Sequence, residues 1–115
     1  MAALDVRYHI RRTEFFLPPE GRIYNIKLRF LPKVANNVAE VQWHSTQKVV
    51  RNSDGSATVE FRVDGLGEIT WWILGYGDQV QVIAPKALRR KVLEVAKNMV
   101  ELNEKVQIAS IASHY

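Results

Sequence analysis

Two short segments of this chain alternate apolar and polar residues without a break, and that pattern limits the fold more than any other feature. In the first, Tyr24, Ile26, Leu28 and Phe30 are interleaved with Asn25, Lys27 and Arg29; in the second, Val59, Phe61 and Val63 are interleaved with Glu60 and Arg62. Successive side chains of a strand point to opposite faces, so each segment predicts a strand with one buried face and one charged face. A sheet built from such strands has a covered side and an open side. Lys27, Arg29 and Arg62 are expected on the open one.

The intervening chain supplies the cover. Pro32 suits the first turn of a helix, and Val34, Val38 and Val41 recur at i, i+4 and i+7, which predicts an amphipathic helix to about Gln42. A second strand is expected over Gln47–Arg51, followed by a hairpin turn at Asn52-Ser53-Asp54-Gly55, where Gly can take the positive φ of a tight reversal. Asp64-Gly65 ends the third strand. Ile69, Trp72, Ile73 and Tyr76 then fall on one helical face, with Gly75 and Gly77 placed to stop that helix. A fourth strand is expected over Gln79–Ile83. Pro85 opens a last helix, along which Leu88, Val92, Val95, Met99 and Leu102 form a stripe.

Strand, helix, strand, strand, helix, strand is the order of a split βαβ unit. It predicts an α+β fold of the ferredoxin-like type, βαββαβ, with an antiparallel four-stranded sheet, both helices on one face and an added C-terminal helix. The 115 residues suit one such domain over 21–103. Residues 1–20 precede it as a linker or arm. There Leu4, Val6, Tyr8 and Ile10 alternate ahead of Pro18-Pro19, a pattern open to two readings, a pairing strand or a frayed terminus. Residues 104–115 follow as a tail whose weak pattern assigns no element.

Composition narrows the chemistry. The chain has no cysteine, and His9, His44 and His114 are far apart in sequence, so neither a disulfide nor a metal site is expected, and nothing calls for a cofactor. No apolar run nears the ~20 residues of a bilayer span and no signal peptide is evident, so a cytoplasmic protein without a membrane partner is expected. A formal charge of +4 permits a polyanionic partner without requiring one. No nucleophile stands beside a base at motif spacing, and no Walker-type loop occurs. Glu101 and Glu104 are read as part of a solvated helix face. No enzymatic activity is expected.

Three features point outward. The outer positions Lys27, Arg29 and Arg62 include no aromatic residue, so a base-stacking platform is not expected; the face is either solvated or able to grip phosphates. Lys86, Arg89, Arg90 and Lys91 crowd the start of the last helix, where the dipole disfavours cations. Either they extend into water or they surround an anion held by the free N–H groups of that turn. Trp71 lies about 100° from the stripe that buries Trp72. It either meets a subunit or domain interface or is covered by the C-terminal helix.

Several motifs then occur in a fixed order: Ile26-Lys27-Leu28-Arg29-Phe30, Trp43-His44-Ser45-Thr46-Gln47, Asp54-Gly55-Ser56, Gly67 to Gly77 (GEITWWILGYG) and Val82 to Arg89 (VIAPKALR). From about Phe15 to Asn103 the chain resembles the C-terminal extension, WCX, of bacterial WYL-domain transcriptional regulators. The resemblance implies a ferredoxin-like domain that stands apart here from its helix-turn-helix and WYL domains. It also implies a role in homodimer formation and in sensing an anionic effector, a nucleic acid or nucleotide. By the same resemblance Trp43 and Trp72 match core aromatics, while His44, Gln47 and Arg89 match polar positions that either lock the fold or touch ligand. With Lys27, Arg29, Arg62 and Arg90 they make up the candidate anion-binding set, and Trp71 is the candidate interface residue. The alternative is a self-standing nucleic-acid-binding domain that uses the basic sheet face directly.

Overall fold

A computed structural model describes residues 21–113, with side chains as far as Ser110. The arm expected at residues 1–20 lies outside the described residues. The elements run β1 (Ile23–Phe30), α1 (Pro32–Glu40), β2 (Lys48–Arg51), β3 (Ala57–Asp64), α2 (Gly67–Leu74), β4 (Val80–Ala84) and α3 (Lys86–Ser113), with a single 3₁₀ turn over Gly77–Gln79. The strands form one sheet in the order β2-β3-β1-β4, and all three pairings are antiparallel. This is the ferredoxin-like arrangement, with an added terminal helix.

The two alternating segments are its central strands. Ile26 pairs with Phe61, Lys27 with Glu60 and Leu28 with Val59. Directly opposed residues share a face, so the register puts all the apolar members on one side. Ile26, Leu28, Phe30, Val59, Phe61 and Val63 are buried there, while Lys27 and Arg62 are exposed on the other face and Arg29 is half-buried. Above the covered face, rings meet edge to face. Trp72 lies 5.8 Å from Phe30, 5.8 Å from Phe61 and 5.4 Å from Tyr76, and a tilted contact at 5.5 Å joins it to Trp43. Edge-to-face geometry sets the positive rim of one ring against the negative face of another. The indole N–H of Trp72 is buried with no hydrogen-bond partner among the described residues.

Helix α1 begins at Pro32 and stops at Glu40, two residues short of the expected end, because Val41 is already extended (φ −114°, ψ 134°). The last carbonyls of a helix need outside donors. Trp43, just beyond the end, turns its indole N–H back to the Val38 carbonyl at 3.0 Å.

In the β2–β3 turn, Gly55 has φ +89° and is the residue type that adopts it without strain. Its neighbour Asp54 accepts the Ser56 hydroxyl at 2.5 Å, the Ser56 backbone N–H at 2.9 Å and the Arg29 guanidinium at 2.7 Å. Those donors, the Ser56 hydroxyl first, hold the Asp54 carboxyl well below the usual carboxylate range. A lowered folded-state value means that the turn's contribution is present above the unfolded value, about 3.9, and is lost as pH falls through the folded one. An NMR titration of the carboxyl groups is expected to show Asp54 still ionised when the other carboxylates have protonated. Titration together with the other carboxylates would contradict the bonding described.

Helix α3 departs most from expectation. It continues to Ser113, through the stretch that patterning left unassigned, and its 28 residues span about 42 Å at 1.5 Å per residue. Only its beginning packs on the domain. Leu88 is buried and Val92 and Val95 are half-buried, but every residue from Ala96 to Ser110 is exposed. Among the described residues no helix is long and apolar enough to cross a membrane.

Candidate functional site

The chain between α1 and β2 folds over the outer end of β3. His44 to Gln47 forms a turn closed by the Gln47 N–H on the His44 carbonyl at 3.1 Å. The Gln47 side chain fixes that turn from within. Its Oε1 accepts the backbone N–H groups of Trp43 (2.6 Å) and His44 (3.3 Å), and its Nε2 donates to the Val41 carbonyl (3.0 Å). Trp43 is buried, so the turn is anchored to the core on one side. On the other, Thr46 Oγ1 accepts the Arg62 backbone N–H at 2.9 Å and ties the turn to β3.

His44 lies flat against Phe61, with ring centroids 6.0 Å apart and planes inclined by 22°. Its Nδ1 accepts the Thr46 backbone N–H at 3.2 Å and sits 2.9 Å from the Thr46 hydroxyl. With Nδ1 an acceptor, the neutral ring carries its proton on Nε2.

Between this turn and the open sheet face lies a cleft of about 550 Å³, whose lining includes Ser45, Thr46, Gln47, Asn25, Lys48 and Arg62. Cross-strand register explains the grouping. Asn25 on β1 is opposite Arg62, and Lys48 on β2 is opposite Glu60, which is itself opposite Lys27. Lys27, Lys48 and Arg62 thus surround one carboxylate with three cations. Among the described residues, none of these three side chains has an ion pair or a hydrogen bond of its own. A surface of hydroxyls, an amide and unpaired cations is suited to phosphate oxygens, which accept from all of them.

The other candidates lie elsewhere. Arg29 follows Asn25 by four residues on β1, about 13 Å along the strand, and its guanidinium is held by Asp54 at 2.7 Å and Gln81 at 2.7 Å. Arg89 donates to the Val82 and Ile83 carbonyls, at 3.3 Å and 3.0 Å, and so braces the β4–α3 junction. Arg90 is exposed on the first turns of α3, away from the cleft lining. Trp71 is 67% exposed, so α3 does not cover it. The structure therefore brings His44, Gln47, Lys27 and Arg62 into one region and separates Arg29, Arg89 and Arg90 from it. Lys48, Ser45 and Asn25 were not picked out from the sequence. The alternation of β1 already turned Asn25 outward, but only the β2–β3 register shows that Lys48 shares its face. Among the described residues no group of three or more His, Cys, Asp or Glu could hold a metal ion.

Comparison with known families supplies one match: the sequence model of the WCX domain aligns with residues 22–100, which takes in the whole sheet, the cleft and the packed part of α3. A search of curated proteins finds no match.

Proposed function

Since the chain belongs to the WCX domain family, a regulatory family, we propose that it is the C-terminal regulatory domain of a WYL-type transcriptional regulator. In that role it works alongside helix-turn-helix and WYL domains, assembles with a second copy, and senses an anionic effector, a nucleotide or nucleic acid, through its phosphates. The observation that carries the sensing part is the cleft, where the side chains of Lys48 and Arg62, unpaired among the described residues, stand beside the Ser45–Gln47 turn. The rigid side of the site is the sheet. The turn is held by Gln47 and Thr46 rather than by regular structure, so a ligand seated against it can shift its position and pass that shift to neighbouring domains.

Salt dependence tests this reading. A fluorescent nucleotide and a short labelled single strand are titrated with the protein at several salt concentrations. Binding is expected to weaken as salt rises, with a log–log slope of roughly −1.4 to −2 for the strand if two or three phosphates are neutralised. Salt-independent binding, or none by either probe, contradicts it.

A further inference from the structure

The basic cleft has a carboxylate at its centre. Glu60 projects from β3 on the open sheet face, is exposed, and lines the cleft together with Asn25, Lys48 and Arg62. Lys48 lies directly opposite it on β2 and Lys27 directly opposite it on β1. Arg62 follows two residues along β3, on the same face and about 7 Å away. Among the described residues the Glu60 side chain makes no ion pair and no hydrogen bond, although these cations surround it. The Asn25 amide, opposite Arg62 and so diagonal to Glu60, also makes no side-chain hydrogen bond among the described residues. Phosphate binding alone gives neither group a partner. A carboxylate only accepts hydrogen bonds, and its charge repels a phosphate.

We infer that the cleft takes a guanine mononucleotide, with the Glu60 carboxylate accepting the N1–H and 2-amino groups of the base and Lys48 and Arg62 holding the phosphate. This deepens the sensing part of the proposed function and rests on it. Three observations select this ligand. The first is the match of donors to acceptors. A carboxylate has two oxygens side by side, and the Watson–Crick edge of guanine has two N–H groups side by side, so the contact is bidentate and charge-assisted. Adenine and cytosine offer one amino group beside a bare ring nitrogen, whose lone pair faces the second oxygen. The Asn25 amide supplies an N–H for guanine O6, the acceptor next to N1.

The second observation is size. The cleft holds about 550 Å³, within the range of about 300–1,000 Å³ typical of small-ligand sites, so it has room for base, sugar and phosphate together. The third is the absence of stacking surface. Single strands are held largely by bases stacked on successive aromatic rings. The outward positions of the central strands, Asn25, Lys27, Arg29, Glu60 and Arg62, include none. A free mononucleotide read at its edge therefore fits better than a strand.

Calorimetric titration of the full chain at low salt with GMP, IMP, AMP and inorganic phosphate tests this. IMP lacks only the 2-amino group. GMP is expected to bind at least about fivefold tighter than IMP, with AMP weaker still; the factor is kept modest because Glu60 is exposed and solvent screens it. In Glu60→Gln the preference for GMP over AMP is expected to fall to within about twofold. AMP and inorganic phosphate then bind as tightly as before or more tightly, because a negative charge has left the anion site. Their retained binding also shows that the variant is folded. Equal, salt-sensitive binding of all three nucleotides to the unaltered chain overturns the guanine assignment and leaves the phosphate reading intact. A GMP preference that survives Glu60→Gln overturns the role given to Glu60. No binding of any nucleotide or of phosphate at millimolar concentration overturns both.

Discussion

Trp72→Ala is expected to leave little of the domain folded at 25 °C. Trp72 touches four other aromatic rings and is 4% exposed, so its removal opens a cavity at the centre of the core rather than at its edge. Large-to-alanine changes of this kind cost about 3–5 kcal/mol. A domain of this size has about 5–15 kcal/mol in total, with small domains toward the low end. Urea unfolding should show the midpoint collapsing toward zero denaturant; a loss under about 1.5 kcal/mol would contradict the central place given to Trp72. A paired comparison separates packing from hydrogen bonding. Trp72→Phe discards a buried N–H that has no partner among the described residues, whereas Trp43→Phe strips the donor from the Val38 carbonyl at the end of α1. An acceptor left without a partner costs about 1–3 kcal/mol. Trp43→Phe is therefore expected to be the more damaging of the two, although both replace an indole by a phenyl ring.

The second large effect concerns ligand rather than stability. Lys48→Gln combined with Arg62→Gln is expected to weaken phosphate-bearing ligands at least tenfold at low salt. Both residues line the cleft, and neither side chain is committed to another contact among the described residues. Hydrogen bonds to charged groups contribute about 1.5–3 kcal/mol each, less where solvent screens them, so two of them comfortably exceed the about 1.4 kcal/mol that a tenfold change requires. Stability should move by no more than about 0.5 kcal/mol, as for other exposed substitutions. Arg29→Gln is the matching control. Its guanidinium is tied to Asp54 and Gln81, so it should loosen the β2–β3 turn while leaving ligand affinity within about twofold. Equal losses from both changes would mean that affinity follows total charge and not the cleft.

The frame of the fold was legible because it rests on period. Alternation in β1 and β3 fixed which side chains are buried, and the register then confirmed it pair by pair. Element ends were less legible. Nothing in the pattern distinguishes Glu40 from Gln42 as the end of α1, because the stop depends on Val41 entering the path toward Trp43. The reach of α3 was hidden for a different reason: its stripe continues beyond the domain, and a stripe does not reveal whether its cover lies in the same chain. At the site, sequence brought forward cations by face but not by neighbourhood. Arg29 and Arg62 are equivalent by alternation, yet one is bound to a turn carboxylate and the other borders a cleft. That difference comes from the hairpin returning Asp54 to β1, a contact 25 residues apart.

An amide-resolved NMR titration bears most directly on the role assigned to the cleft. The full chain, labelled with ¹⁵N, is titrated with a mononucleotide and then with a short single strand. The first and largest shifts are expected at Asn25, Ser45 to Lys48 and Glu60 to Arg62, with Arg89 and Arg90 still. Shifts confined to the start of α3 or to the helix-covered side, or no shift at millimolar ligand, would contradict it.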